Sequence, residues 1–344
     1  LHDRQIQRLV KGIILEKRLV HCYSRIISVD NLLSAWAEFI KNKRAKKDVQ
    51  RFAENLMDNI FRLHQELTNF QYRHGGYHAF QICDPKPRQI HKASVKDRLV
   101  HHAVYRVLYP FFDRAFVADS YSCRNKKGAH KAVRRFREYF YRASQNNTKS
   151  CFCLKMDVKK FFVNINHKVL TTILEESIGD QHLIWLLKNI IGSFQSKGRQ
   201  RIGLPLGNLT SQLLINIYMD KFDQFVKHRL KENYYIRYAD DFIILSDNYF
   251  HLANILPLIS DFLENRLRLE LHENKTFIKT IASGVDFLGF ITFADHRILR
   301  TKTKRRMLKK ICTKNLPSYL GLLKHCNSCQ TKQKIRYHFL TKLH

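Results

Sequence analysis

The sequence predicts an α/β fold of the α+β kind, and three observations carry that prediction. Apolar residues recur at helical spacing over long stretches. Short apolar and aromatic runs bounded by Gly, Pro or Asp read as strands. One pair of such runs, YYIRYADDFIIL at 234–245, reads as a hairpin. At 344 residues, with 44 % apolar and 26 % charged side chains, the chain can bury a large core.

Taken in order, residues 28–70 are helical, with Leu32, Leu33, Trp36 and Phe39 on one face, followed by Phe52, Leu56, Ile60 and Leu63. GGYHAFQIC (75–83) alternates as a strand does, and DPKPR (84–88) is a turn bearing Lys86 and Arg88. A helix runs from Asp97, its apolar face holding Leu99, Val100, Ala103, Val104, Val107, Leu108 and Phe111. Arg98, His101 and Arg106 lie on the other face. RNKKGAHKAVRRFREYFYR (124–142) is a basic helix interleaved with aromatics. CFCLKMD (151–157) is a strand ending on Asp157, with helices near 167–178 and 181–192 and over 209–230. After the hairpin come a helix over about 250–267, where Pro257 is a potential kink, and strands near 275–281 and 285–293.

Charge is the outlying property. Against 29 Asp and Glu stand 61 Lys and Arg, a formal charge of +32, which points to a polyanionic partner. After Asp295 there is no acidic residue, and TKTKRRMLKKICTK (301–314) carries seven of the 14 basic residues that follow it. A surface of one sign repels itself unless counter-charge comes from outside, so a nucleic-acid surface is expected there. No apolar run reaches membrane-span length, and the N-terminal twenty residues lack the apolar core of a secretory leader. Eight cysteines in so long a chain read as reduced thiols in a cytoplasmic protein. The one CxxC, Cys326 to Cys329, has no second pair to complete a zinc site.

Asp240 and Asp241 sit side by side in an otherwise apolar run, where unpaired burial would cost several kcal/mol each. They belong on an exposed turn or under strong positive charge. With Asp157 at another strand end, three carboxylates could converge on two hard divalent cations about 3.5–4 Å apart, the arrangement nucleotidyl transfer requires.

The strand–Asp–FF unit at 151–162, GLPLGNLTSQLLINIYMDKFD (203–223), YADD (238–241), LHENK (271–275) and FLGF (287–290), in that order, resemble a reverse transcriptase over residues 80–295. In GLPLGNLTSQ, Leu206 stands where group II intron and retroviral enzymes usually carry Gln, and Ser211-Gln212 replaces Ser-Pro. Together with KDRLVHHAV (96–104), DSYSCR (119–124) and KKGAH (126–130), this resembles the reverse transcriptases of diversity-generating retroelements, a group among the group II intron-like bacterial and phage enzymes. The NAxxH and VTG patterns of retron enzymes are missing, and no zinc-type endonuclease of the intron kind is expected.

The resemblance implies a right-hand polymerase: an N-terminal helical extension (1–75), fingers (76–150), a palm with a ferredoxin-like antiparallel sheet (151–290) and a small basic helical thumb (291–344). It implies that Asp157, Asp240 and Asp241, with the Val158 carbonyl, bind two Mg²⁺ ions, which Mn²⁺ can replace. Lys86 and Arg88 would hold the triphosphate, Phe162 would gate the sugar, and Leu206 and Gly207 would line the nucleotide pocket. Lys275 would lie near the leaving pyrophosphate, and Phe287, Leu288 and Gly289 would form the primer grip. Lys302, Lys304, Arg305, Arg306, Lys309 and Lys310 would follow the nucleic-acid backbone. On the residues alone, Lys86 and Arg88 also read as turn charges, FLGF as a buried strand, and Phe161 or Phe162 as core.

The implied activity is error-prone copying of a template RNA into cDNA from deoxynucleoside triphosphates. A small basic helical accessory protein would assist, in a bacterial or phage-encoded cytoplasmic setting. Two rivals stand: an intron-type maturase or phage-defence reverse transcriptase, and a non-catalytic RNA-binding protein.

Overall fold

The computed structural model describes residues 18–83, 87–196 and 198–340, so the N-terminal segment read above and Lys86 lie outside the described residues. The chain forms two compact units that interleave along the sequence. One comprises Leu1–Val117, Lys159–Phe222 and Phe262–Glu270; the other comprises Ala118–Val158, Asp223–Asp261 and Leu271–His344.

The first unit is mainly helical. Its helix starts carry their own caps: Ser28, Ser94, Asn166 and Asp180 each accept a backbone N–H three residues on, at 3.1–3.2 Å. The helical periodicity over 28–70 resolves into Val29–Phe39, Lys47–Glu54 and Leu56–Thr68, interrupted by a turn with Asn42 at φ 61° and by a non-helical Asn55. The helix Val95–Ala115 packs against Val29–Phe39 and keeps Pro110 within its length. Asp97 of KDRLVHHAV is wholly buried and structural: it accepts from Tyr72 Oη (2.7 Å), Ser94 Oγ (2.6 Å) and Gly75 N (3.2 Å). Burial pushes its carboxyl up, but His74 and these donors outweigh that and hold it below the usual range.

His101 is a correction to the sequence reading. Expected on the polar face, it is 1 % exposed, its Nε2 lies 3.0 Å from His74 Nε2, and burial lowers its pKa to about 3. A long-range partner decided the matter, and local periodicity carries no sign of one. Strands β1 (Tyr77–Ile82) and β2 (Arg88–Ala93) form an exposed antiparallel hairpin.

The second unit is built on a sheet of β3 (Phe152–Asp157), β4 (Tyr235–Tyr238), β5 (Asp241–Ser246) and β6 (Phe277–Thr280), all antiparallel, in the order β4-β5-β3-β6. β3 is central, and its interior residues are buried on both faces, so its sequence shows an unbroken apolar run rather than alternation. The basic helix Ala129–Ala143 lies on this sheet through Val133, Phe136 and Phe140.

A second sheet joins β7 (Val285–Phe287), β8 (Phe290–Thr292) and β9 (Arg297–Leu299). The single strand expected over 285–293 is therefore two, because Leu288 and Gly289 both take positive φ (51° and 88°) and close a two-residue hairpin. Helices Thr301–Lys310, Leu316–Leu323 and Cys329–Leu340 follow. No helix among the described residues is long and apolar enough to cross a membrane.

Candidate active site

The pairing of β3 with β5 seats Asp157 directly opposite Asp241. Asp240 occupies the two-residue turn between β4 and β5, and its carbonyl accepts from Val158 N at 3.0 Å. Three acidic residues from two distant segments are thus brought to one end of the sheet. Like charges so close resist joint ionisation, and the surroundings answer with lysines. Lys275, in the short 3₁₀ turn Glu273–Lys275, donates to Asp157 Oδ1 at 2.7 Å, and that turn is tied down by His272 N on the Asp157 carbonyl at 2.7 Å. Lys155, two residues before Asp157 on β3, reaches within 3.5 Å of Asp241 Oδ1 but spends its short bond, 2.6 Å, on the carbonyl of Asp286.

Asp241 is left under-compensated. Its side chain is 20 % exposed, yet its Oδ1 is shielded from water and accepts no hydrogen bond. Burial raises its pKa, Lys155 works against the rise, and Asp157 and Asp240 add to it, which takes it to about 7. Among the described residues no three Asp, Glu, His or Cys side chains converge as a ready-made metal cage. The chemistry of the set nevertheless suits a hard divalent cation: Asp157 and Asp241 face each other across the strands, and Asp241 Oδ1 accepts no hydrogen bond, with the Lys155 ammonium 3.5 Å away. Lys155 was not foreseen. Its signal was a single cation inside CFCLKMD at even spacing from Asp157, and hence on the same face of the strand.

The remaining residues of this unit are placed as follows. Phe287 is 1 % exposed, with its ring against Phe136, so only Leu288 and Gly289 stand at the tip of the β7–β8 hairpin. On the helix Thr301–Lys310, Lys302, Arg305, Lys309 and Lys310 are exposed, Lys304 and Arg306 are half-buried, and Met307 alone is buried.

Within the first unit, Arg88 opens β2 and is exposed. Phe161 is core at 2 % exposure, while Phe162 beside it is half-buried, its backbone carbonyl accepting from Leu204 N at 2.8 Å. The stretch 203–208 docks on β2: the Leu206 carbonyl accepts from His91 N at 3.0 Å, and Asn208 Nδ2 donates to the His91 carbonyl at 2.9 Å. Both glycines of GLPLG are required by position. Gly203 (φ +103°) and Gly207 (φ +106°) are left-handed, and a Cβ would come within 2.1 Å of Ser196 Oγ and 2.7 Å of Ile90 Cγ2 respectively. A cavity of about 400 Å³ opens beside Gly207, lined by Phe80, Ile90, Lys92, Arg98, Asn208 and Gln212.

Comparison with known proteins gives the family. Residues 83–292, more than half of the chain, match the family model described as reverse transcriptase (RNA-dependent DNA polymerase). The chain is 25 % identical to protein YkfC of Escherichia coli over 66 % of its own length and 67 % of that protein's. It is 24 % identical to the group II intron-encoded protein LtrA of Lactococcus lactis subsp. cremoris, covering 64 % of the chain but only 46 % of that relative. A structure of telomerase from Candida albicans with a fragment of telomeric RNA superposes with a TM-score of 0.50 at 12 % identity, over 70 % of this chain and 51 % of that one. The likeness extends to the fold, which is that of the right-hand polymerases.

Proposed function

This chain belongs to the reverse transcriptase (RNA-dependent DNA polymerase) family, and from that premise we propose that it copies RNA into DNA at the carboxylates 157, 240 and 241. The observation that carries the reading is a register that seats Asp157 against Asp241, beside the turn that holds Asp240, with an Asp241 oxygen buried and lacking a donor. Asp157, Asp240, Asp241 and the Val158 carbonyl would hold two divalent cations, Mg²⁺ by preference. When bound, these would acidify the primer 3′-hydroxyl and offset charge on the phosphates.

The chain's own groups supply the rest. Lys155 offsets the charge of Asp241 and Lys275 that of Asp157 before substrate arrives, and Lys275 would hand a proton to the leaving pyrophosphate. Arg88 and Lys86 would bind the triphosphate, Phe162 would exclude a ribose 2′-hydroxyl, and Leu206 and Gly207 would line the nucleotide pocket. Leu288 and Gly289 would meet the primer. The helix Thr301–Lys310 would hold the duplex through its phosphates, so binding should weaken steeply with salt. In this reading residues 1–75, 76–150, 151–290 and 291–344 are the N-terminal extension, fingers, palm and thumb.

Primer extension on an RNA template tests the reading. Asp240→Asn should lose on the order of 10³-fold in rate with its fold intact, and wild-type extension by that variant would exclude it.

We assign the chain further to the diversity-generating retroelements, on Leu206 in GLPLGNLTSQ. Leucine can neither donate nor accept a hydrogen bond, so the pocket judges base pairs by shape, worth only about 1–3 kcal/mol. Miscopying at template adenines, a structured template RNA and a small basic helical partner belong to this reading. So does a cytoplasmic setting, which suits eight free cysteines. The likeness to LtrA favours a second reading, a group II intron-type enzyme. Near-identical template and variable repeats flanking the gene would decide for the first; flanking intron RNA would decide for the second.

A further inference from the structure

DSYSCR (119–124) helped to carry the family resemblance. The structure shows what the segment holds. Arg237, two residues before Ala239 on β4, is wholly buried, and so is Asp223. Arg237 Nε donates to Asp223 Oδ1 at 2.7 Å and Nη2 to Asp223 Oδ2 at 2.6 Å, a two-pronged pair that Tyr235 Oη joins at 2.6 Å. Nη2 also reaches Ser120 Oγ (3.0 Å), and Nη1 donates to the carbonyl of Ala239 (3.2 Å). The backbone of Arg237 is pinned by the same segment: its N–H donates to the Asp119 carbonyl, and its carbonyl accepts from Tyr121 N, both at 3.0 Å. Asp119 is fixed in turn by Tyr139 Oη (2.7 Å), Lys227 Nζ (3.0 Å) and Arg135 Nε (3.1 Å).

We propose that Arg237, locked by Asp223 and Ser120, is a positioning residue that sets the turn on which Asp240 rides. A buried ion pair is a poor source of net stability compared with apolar residues of similar size, whereas its fork fixes geometry. The turn has need of that. Ala239 is held at φ +57°, a left-handed conformation that a residue with a Cβ keeps only where its surroundings over-determine it. One of the turn's carbonyls is held by the Arg237 guanidinium, and the next, that of Asp240, by Val158 N. The site carboxylate is thereby located from both sides.

The inference rests on the reading of Asp240 as catalytic, and the test separates the two. Arg237→Lys, the paired Arg237→Met with Asp223→Leu, Ser120→Ala and Asp240→Asn are compared by kcat and nucleotide KM in primer extension, by thermal melting, and by Mn²⁺ binding followed by electron paramagnetic resonance. Removing both buried charges together leaves neither charge orphaned, although Tyr235 Oη loses its acceptor, so the paired variant is expected to fold even where Arg237→Lys does not. We expect kcat to fall about tenfold or more in the folded Arg237 variants, with KM within about twofold, because misplacement rather than lost binding is at work. Mn²⁺ binding should weaken about threefold or more, and Ser120→Ala should lower kcat about threefold. A folded paired variant with wild-type kcat and Mn²⁺ affinity overturns the proposal. So does an unfolded pair variant alongside wild-type kcat in Ser120→Ala. Wild-type extension by Asp240→Asn defeats the polymerase reading instead, whatever Arg237 does.

Discussion

The β4–β5 and β7–β8 hairpins are both closed by two residues, and they close in opposite ways. At 288–289, beside Leu288 at φ +51°, Gly289 takes φ +88° at no steric cost, and its carbonyl accepts from Arg300 N at 3.0 Å. At 239–240 there is no glycine. Ala239 sits at φ +57°, held there by a guanidinium and by a neighbouring strand end. A turn that contains a glycine meets part of its backbone demand by itself. A turn that must present a carboxylate at a fixed point relies on side chains drawn from elsewhere, and it keeps some strain.

The largest effect is expected at Asp241. Asp241→Asn should abolish extension, by on the order of 10³-fold, while making the metal-free protein more stable at pH 8, because a buried charge is removed. No isosteric change in the other hairpin should separate activity from stability in that direction.

The pH dependence follows from the same group. Its folded pKa, about 7, lies above that of an unfolded aspartate, so its contribution to stability is complete below about pH 4 and is lost as pH rises through 7. Melting temperature without divalent cations should therefore decline from pH 5 to pH 8. That decline should be absent in Asp241→Asn, and Mg²⁺ should raise the melting temperature more at pH 8 than at pH 5.

The turns themselves give the next contrast. In Ala239→Gly the relief of left-handed strain and the added chain entropy roughly cancel, each about 1 kcal/mol, so melting should barely change. kcat should fall about three- to tenfold as the turn loosens. Gly289→Ala should do the reverse, costing about 1 kcal/mol in stability with a smaller effect on kcat. The smallest expected effect is that of Leu206→Gln, a shift in error spectrum at template adenines with little change in rate. An unchanged spectrum removes Leu206 from the account of fidelity.

Much of this was legible in the sequence because it is local. Strand β3 ending on Asp157, the hairpin around Asp240 and the helices near 167–178 and 181–192 all follow from apolar spacing, and Asn166 and Asp180 cap those two helices. What escaped was pairing over long range. His101 looks like a surface residue until His74 is brought to it from 27 positions away. Lys155 looks like a stray charge until β5 arrives beside it, and nothing near Arg237 in sequence announces Asp119 or Ser120 as its partners. FLGF passed for one strand because Leu288 is a β-compatible residue in a left-handed turn, where only its neighbour Gly289 gave a hint.

The place of β3 in its sheet governs how the site can come into being. It lies between β5 and β6, which follow it by more than eighty and a hundred residues, so the carboxylates cannot assemble until most of the chain has left the ribosome. Until residues 277–280 dock, the inner strand keeps a naked, apolar margin able to capture any passing extended segment. Fragments cut short of that point should be sticky as well as inert, and production of this protein should reward slow synthesis at low temperature.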